Sequence, residues 1–170
     1  IMDGNGRWAL KNKVSKKKGH ETGIKNCIQI CKSLRKLDYN IREISFYVFS
    51  TENWKRSPYE INNLFSLIEE FYENFSNTAD DNNLVIRHYG SKDNLSRRIK
   101  KIIDLVTERT KLNSGTFINL MFNYGSRKEI SDAFTKMIKN KKRAQNIRDY
   151  LYTKNSHDPD LIIRTGGEQR

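Results

Sequence analysis

The sequence is poor in cysteine, in acidic residues and in long apolar runs. Its two cysteines cannot form a disulfide framework, so a reducing compartment is expected. No apolar run approaches the roughly 18–20 residues of a membrane-spanning helix, and no secretory signal peptide is recognisable. We therefore expect a cytoplasmic protein that lies, at most, peripherally at the cytosolic face of a membrane.

The shortage of acidic residues leaves a large positive charge. Against 32 Lys and Arg there are 20 Asp and Glu, which gives a formal net charge of +12. This surplus favours an anionic partner: nucleic acid, a membrane surface or a phosphorylated small molecule. The apolar fraction is only 36%, yet 8 Phe, 8 Tyr and 2 Trp provide bulky core residues, which disordered chains lack. The 170 residues are expected to form one folded domain, 1–170.

Strand-like and helix-like patterns alternate along the chain. Segments rich in β-branched and aromatic residues predict strands at 43–49, 84–89, 116–122 and 161–164. Apolar residues at three- and four-residue spacing predict helices at 20–37, 59–75, 95–112 and 127–138. This order predicts an α/β fold with a mostly parallel central sheet flanked by helices. We expect the domain to be truncated at both ends, and the polar stretch 139–146 to be a flexible loop.

Four polar turns follow predicted strands or open the chain, at 3–8, 50–58, 123–127 and 165–170. Ligands of parallel α/β sheets bind outside the carboxyl ends of the strands. We therefore expect these four turns to converge on one site.

The turn at residues 3–9 (DGNGRWA) carries the strongest local signal. Its G-x-G-x-x-A spacing formally matches a dinucleotide fingerprint, but a carboxylate before the first glycine would repel a diphosphate unless a divalent cation lay between them. We favour a diphosphate site in which backbone N–H groups and Arg7 contact the anion and Asp3 holds Mg²⁺. An ordinary strand-to-helix turn is the alternative.

Two further segments carry groups suited to an anion. The lysine-rich run 11–18 precedes His20, and it is either a solvated basic face or a flap near the diphosphate, with His20 as ligand or proton donor. Segment 50–58 (STENWKRSP) offers an aromatic stacking face at Trp54 and a guanidinium at Arg56. Its other role is to cap the helix that begins near Tyr59.

Arginines mark the last two turns. Arg164 and Arg170 flank a Gly-Gly turn and suggest a second anion site. The turn 123–127 (NYGSR) is equally consistent with a scaffold turn and with ligand contact. Cys27 and Cys31 lie four residues apart on one helix, but buried helical cysteines usually act as small hydrophobes, so zinc is disfavoured.

Five segments resemble the signature regions of the cis-prenyltransferases, the family of undecaprenyl diphosphate synthase and dehydrodolichyl diphosphate synthase. They are MDGNGRWA (2–9), GHETG (19–23), FSTENWKRS (49–57), NYGSR (123–127) and DPDLIIRTGGEQR (158–170). The resemblance implies a transferase that uses Mg²⁺ to condense isopentenyl diphosphate onto an allylic diphosphate such as farnesyl diphosphate, making a long-chain polyprenyl diphosphate. It also implies a hydrophobic tunnel for the growing chain. The implied assembly is a homodimer, or a heterodimer with an accessory subunit, that can release product at a membrane surface.

The resemblance also implies roles for individual residues. Asp3 matches the family's metal-binding aspartate, and with Asn53 and His20 it forms the implied catalytic set. The implied substrate-binding residues are Gly4, Asn5, Gly6, Arg7, Trp8, Lys16, His20, Ser50, Thr51, Glu52, Trp54, Arg56, Arg164 and Arg170. Asn53 stands where the family is often assigned a role in proton removal. An amide is a poor base, so we expect Asn53 to orient substrate or water, with a diphosphate as the base.

The sequence leaves two other classes open. A basic α/β nucleic-acid-binding module would also use the charge of +12, but no recognition motif is present and the basic residues are spread over several elements. A non-catalytic partner subunit of a prenyltransferase would share the motifs, but the retained Asp3 and Asn53 argue against it. We therefore expect no nucleic-acid partner. Lys16 stands where bacterial members often carry an arginine, which keeps the charge and loses the bidentate geometry.

Overall fold

Helices and strands alternate as the sequence predicts. A computed structural model describes residues 1–36, 40–139 and 146–169. The elements are α1 (Asn5–Lys11), α2 (Lys16–Lys36), β1 (Glu43–Ser50), α3 (Pro58–Asp81), β2 (Val85–Tyr89), α4 (Arg97–Thr110), β3 (Phe117–Tyr124) and α5 (Ser126–Lys139), with short 3-10 helices at Thr51–Lys55 and Ile147–Tyr150. The helices α2 to α5 and the three strands all correspond to predicted segments. Residues 140–145 of the predicted flexible loop lie outside the described residues.

The strands form one parallel sheet in the order β1–β3–β2. β3 is central, and Ser45 of β1 and Arg87 of β2 both pair with its Asn119. Because all three strands run in the same direction, their carboxyl ends lie along one edge of the sheet. The predicted α/β fold with a parallel sheet and flanking helices is confirmed.

The main hydrophobic core lies between one face of the sheet and helices α2, α3 and α4. Its fully buried side chains include Phe49, Ile68, Phe75, Ile86, Ile118, Leu120 and Phe122. The predicted apolar stripe of α2 is part of this core through Cys27 and Cys31, and burial raises the pKa of these two thiols to about 11 and about 12. Both cysteines therefore act as small hydrophobes, as expected. Within the described chain, no helix combines the length and apolarity needed to cross a bilayer.

Helix α3 begins where the sequence predicts a cap. The Ser57 hydroxyl accepts a hydrogen bond from the Glu60 N–H (3.3 Å), and Pro58 occupies the first helical position. Proline is tolerated there because its missing N–H would have no partner inside the helix. The predicted capping role of Ser57 is confirmed.

The predicted fourth strand, 161–164, is wrong. Residues 161–164 have no regular secondary structure, and Leu161, Ile162 and Ile163 are 76%, 67% and 65% exposed. Two backbone hydrogen bonds join this segment to the first residue of the chain: Ile1 N donates to the Ile163 oxygen (2.5 Å) and Thr165 N donates to the Ile1 oxygen (3.1 Å). Within the described residues these two bonds do not make up a ladder, so no strand is formed at 161–164.

His88 of β2 makes stability depend on pH. Its Nε2 lies 2.9 Å from the Phe122 oxygen, which only accepts, so Nε2 carries the proton of a neutral ring. Burial lowers the pKa of His88 from an ordinary 6.5 to about 4. The unfolded chain therefore binds a proton between these two pH values and the folded chain does not. We expect the free energy of unfolding to fall by roughly 3 kcal/mol as the pH drops through this window.

Urea unfolding at about pH 7 and about pH 4.5 measures this loss. In His88→Gln, a neutral side chain can still donate to the Phe122 oxygen. We expect this variant to lose most of the difference between the two pH values. The matched control His157→Gln removes an exposed histidine and is expected to keep it. An unchanged difference in His88→Gln would contradict the assignment.

Candidate active site

Asp3 lies at the centre of a group of charges contributed by both ends of the chain. Its Oδ2 accepts hydrogen bonds from Arg164 Nε (3.2 Å) and Nη2 (2.8 Å). Its Oδ1 accepts from the Gly4 N–H (2.7 Å) and from Arg7 Nη2 (3.4 Å). The hydrogen bonds from Arg164, supported by the Gly4 N–H and by Arg7, hold the pKa of Asp3 below its ordinary value. Asp3 is therefore an anion under neutral conditions.

The two turns that carry these charges are locked together. The Thr165 hydroxyl accepts from Asp3 N (2.9 Å) and donates to the Asp3 oxygen (2.7 Å), and Arg7 Nη1 lies 3.1 Å from Glu168 Oε1. Gly4 has a φ of 89°, and a Cβ placed on it would lie 2.8 Å from the Gly166 Cα. The approach of the two turns therefore requires glycine at position 4.

The two predicted anion sites are therefore one place in the fold. The sequence predicts a diphosphate turn at 3–9 and a second anion site around Arg164 and Arg170, on turns that are expected to converge. The structure joins them through the Asp3–Arg164 pair, because the pairing of residue 1 with 163–165 brings both turns to the same position. Arg170 lies outside the described residues, so its predicted role stays a prediction.

The turn after β1 is a 3-10 helix, Thr51–Lys55, held by its own polar side chains. Asn53 Oδ1 accepts from the Ser50 N–H (3.0 Å), and the Ser50 hydroxyl accepts from the Glu52 N–H (3.2 Å). This reciprocal arrangement is a capping box. The carbonyl oxygen of Asn53 is thus used by the turn, and its NH₂ group is the part that can reach a ligand.

Trp54 points into the protein rather than presenting the expected stacking face. Its Nε1 donates to Asn123 Oδ1 (2.8 Å), and its ring meets Phe49 and Phe65 edge to face at centroid distances of 5.5 Å and 5.3 Å. This inward position buries the ring against other aromatic side chains, and Asn123 provides the hydrogen-bond partner that its N–H needs. A role for Trp54 in substrate binding stays a prediction.

The starts of α2 and α3 bring together a second group of charges. Glu60 accepts from Arg56 Nη1 (3.0 Å) and lies 3.8 Å from Lys16 Nζ. Burial, and then the charge of Arg56, lower the pKa of His20, so its ring is neutral at neutral pH. The motifs did not single out Glu60. The sequence feature that could have identified Glu60 as a partner of Arg56 is its position four residues later, in the first turn of a helix.

Helix α1 links the two groups of charges. A Cβ at Gly19 would lie 2.4 Å from the Asn5 backbone oxygen, so this glycine lets the start of α1 rest directly on α2. His20 is the next residue of α2 after Gly19. A series of contacts therefore joins the two groups of charges. It leads from 164–168 to 3–7 and then through α2 to Glu60. The start of α3 continues it to the turn 51–55.

Asp3 offers one ionised carboxylate to a divalent cation, whose other ligands would be phosphate oxygens and water. No group of three or more His, Cys, Asp or Glu side chains suited to a metal occurs in the described ranges. Mg²⁺ in enzymes that act on phosphates is commonly held by one or two carboxylates together with substrate oxygens and water. A single ionised carboxylate at the turn 3–9 fits that pattern.

The whole chain, residues 1–170, matches the family model of undecaprenyl diphosphate synthase prenyltransferases. The chain belongs to this family. An isoprenyl transferase of Clostridium perfringens is 39% identical over 179 residues, with all of this chain and 70% of the relative covered. An isoprenyl transferase of Bacillus cereus is 38% identical, with all of this chain and 69% of the relative covered.

A solved structure agrees with these relatives. Lavandulyl diphosphate synthase from Lavandula x intermedia, crystallised in complex with dimethylallyl diphosphate, superposes with a TM-score of 0.91 at 26% identity and covers all of this chain and 77% of its own. The predicted family and the predicted enzyme class, a prenyltransferase of isoprenoid biosynthesis, are confirmed. Of the classes that the sequence left open, the family and its relatives support the prenyltransferase enzyme.

Proposed function

We propose that this prenyltransferase condenses isopentenyl diphosphate onto an allylic diphosphate, farnesyl diphosphate, to make a long-chain polyprenyl diphosphate. The observation that carries the proposal is the meeting of Asp3, Arg7 and Arg164 at one position. Two guanidinium groups around one carboxylate supply the charges needed to hold diphosphates beside a shared cation.

The chemistry places negative charge on the leaving diphosphate. When the allylic C–O bond ionises, the backbone N–H groups at the start of α1 and the Arg7 guanidinium stabilise the departing anion. Mg²⁺ on Asp3 would add a further positive charge at that position. Arg164 orients isopentenyl diphosphate, and it exchanges its contact with Asp3 for the substrate when the ligands bind.

The proton lost after the new C–C bond forms goes to a diphosphate oxygen. The NH₂ group of Asn53 can orient the substrate for this transfer, while its carbonyl oxygen holds the turn. His20 is neutral, so it can donate an N–H hydrogen bond to a diphosphate, and its lowered pKa disfavours the predicted role as proton donor.

We propose that the growing isoprenoid chain lies in a tunnel between α2, α3 and the sheet. Apolar side chains of both helices and of the sheet join there in one cluster, which continues beneath the turn 51–55 through Phe49 and Trp54. An apolar passage beginning under the diphosphate site would keep water away from the allylic cation.

Incorporation of radiolabelled isopentenyl diphosphate tests the proposal. We expect label in a long-chain product when farnesyl diphosphate and Mg²⁺ are both present, and none when either is left out. Dimethylallyl diphosphate, offered in parallel, tests the choice of allylic substrate. Incorporation with this shorter acceptor alone would overturn farnesyl diphosphate as the substrate. No incorporation with either acceptor would overturn the condensation.

Arg164→Lys is expected to raise the KM for isopentenyl diphosphate roughly tenfold or more, because a guanidinium fork becomes a point charge and loses a charged hydrogen bond. Steady-state kinetics with each substrate varied in turn measure the change. The matched control is Arg109→Lys, since Arg109 makes several hydrogen bonds with α3 far from the site. If only the allylic KM rises, the two diphosphate positions have been exchanged.

We further propose that two copies of the chain associate through α5. Ile130, Phe134 and Ile138 recur at four-residue spacing on this helix and are 54%, 57% and 64% exposed. Soluble monomers rarely expose a continuous apolar stripe of this kind. A homodimer would cover it.

A further inference from the structure

Asn123 occupies an unusual position at the carboxyl end of the central strand. Its side chain is polar, yet the residue is only 3% exposed. Its backbone has a φ of 54°, a left-handed conformation that asparagine adopts more readily than most residues. It lies at the strand end that faces the candidate active site.

Each polar atom of the Asn123 side chain serves a different loop. Its Oδ1 accepts from Trp54 Nε1 (2.8 Å) in the turn after β1. Its Nδ2 donates to the Ser91 oxygen (2.8 Å) and to the Asp93 oxygen (2.9 Å) in the loop after β2. The backbone oxygen of Asn123 accepts from Ser91 N (3.1 Å). One residue near the end of β3 thus joins the loops that follow β1 and β2.

We propose that Asn123 is a positioning residue for prenyl transfer, which holds the turn 51–55 in place through the Trp54 indole and couples it to the loop 91–93. This inference rests on the proposed function, because that turn carries Asn53. The side chain does not touch substrate. It acts through Trp54, which is the residue after Asn53 and whose ring packs against Phe49 and Phe65.

The chemistry of the amide explains why asparagine suits this position. The three contacts need one acceptor and two donors, which is what a primary amide supplies. Aspartate would set a carboxylate against two carbonyl oxygens, and serine is too short to reach both loops. Buried donors and acceptors are costly to leave unpaired, so the amide holds the loops firmly.

Asn123→Gly isolates the side chain, because glycine accepts the left-handed backbone without strain. Asn83→Gly is the matched control. Asn83 also has a φ of 54°, and it ties down the loop around Ser114, accepting from Ser114 N (3.0 Å) and donating to Ser114 Oγ (3.2 Å). It precedes β2, at the amino end of the sheet and away from the candidate site.

The first readout needs no turnover. In a Trp8→Phe background Trp54 is the only indole, and we expect Asn123→Gly to shift its emission to longer wavelength. Amide hydrogen exchange at 50–55 and 91–93 is expected to speed up in the same variant. Asn83→Gly is expected to change neither signal. If the emission and the exchange stay unchanged in Asn123→Gly, Asn123 does not hold these loops and the inference fails.

The second readout is kinetic, in the protein that keeps Trp8. We expect Asn123→Gly to lower kcat/KM by roughly 10–100-fold, the scale of a misplaced catalytic turn, at a temperature where both variants are fully folded. We expect Trp54→Phe to lower it as well, and the double variant to lose no more than the worse single variant. Asn83→Gly is expected to lose melting temperature only.

The outcomes separate this inference from the proposed function. If Asn123→Gly behaves like Asn83→Gly, or shifts the Trp54 emission without a kinetic loss, the positioning role is overturned. If the two single losses add in the double variant, action through Trp54 is overturned. A wild-type chain without transfer activity would overturn the proposed function and with it the catalytic role of Asn123, while emission and exchange would still report whether it holds the loops.

Discussion

Replacing Asp3 with alanine is expected to lower kcat by at least roughly 10²–10³-fold, the scale of removing a main charge stabiliser from an active site. Asp3 is the carboxylate at the proposed diphosphate site, and its loss would leave Arg7 and Arg164 without the group that positions them. The fold is expected to survive, because the pair is partly exposed and such pairs contribute about 1 kcal/mol or less. Turnover in saturating Mg²⁺, with circular dichroism as the folding check, measures the effect.

Asp80→Ala is the control for Asp3→Ala. Asp80 also pairs with an arginine, Arg109, but it lies at the end of α3 away from the turns. This variant is expected to keep wild-type turnover. If Asp3→Ala retains more than about a tenth of the wild-type rate, the metal-binding role of Asp3 is wrong, since that loss is far below the expected scale.

Phe134→Asp is expected to convert a dimer into a monomer. The substitution puts a charge in the middle of the α5 stripe, and burying it unpaired costs far more than the apolar contact that it replaces. The loss of a central aromatic contact alone corresponds to a dimer dissociation constant at least about 30-fold higher. Light scattering or sedimentation over a range of concentrations reports the mass.

The matched control is Leu105→Asp, which places the same charge at a residue of similar exposure, 59%, on α4. Its mass is expected to equal that of the wild type. A monomeric wild-type chain, or a dimer that withstands Phe134→Asp, would show that α5 does not form the contact.

The elements of the fold follow from local patterns. The three-and-four spacing in α3 and the β-branched and aromatic runs in β1 and β3 are properties of neighbouring residues, so they can be read without knowing the fold. Segment 161–164 shows the limit of this reasoning. It has the composition of a strand, but strand formation depends on pairing with a neighbour, which composition does not reveal.

For the candidate site, too, local motifs predicted some features and missed others. The motifs pointed to Asp3, Arg164, Trp54 and the 123–127 turn as separate signals. They did not indicate that the Arg164 guanidinium pairs with Asp3, or that the Trp54 indole donates to Asn123. Glu60 was missed because it lies between motifs, and its role emerges only when α2 brings Lys16 within reach.

The sequence by itself determined the fold class, the family and the candidate site residues, because periodicity and motif spacing are short-range properties of the chain. It also predicted that the turns converge, but tertiary structure alone decided which side chains make contact. Asp3 and Arg164 are 161 positions apart, and Trp54 and Asn123 are 69 apart. A hydrogen bond forms only within about 3 Å. Whether two such distant groups come that close depends on strand order, register and the packing of loops, none of which is encoded in any single segment.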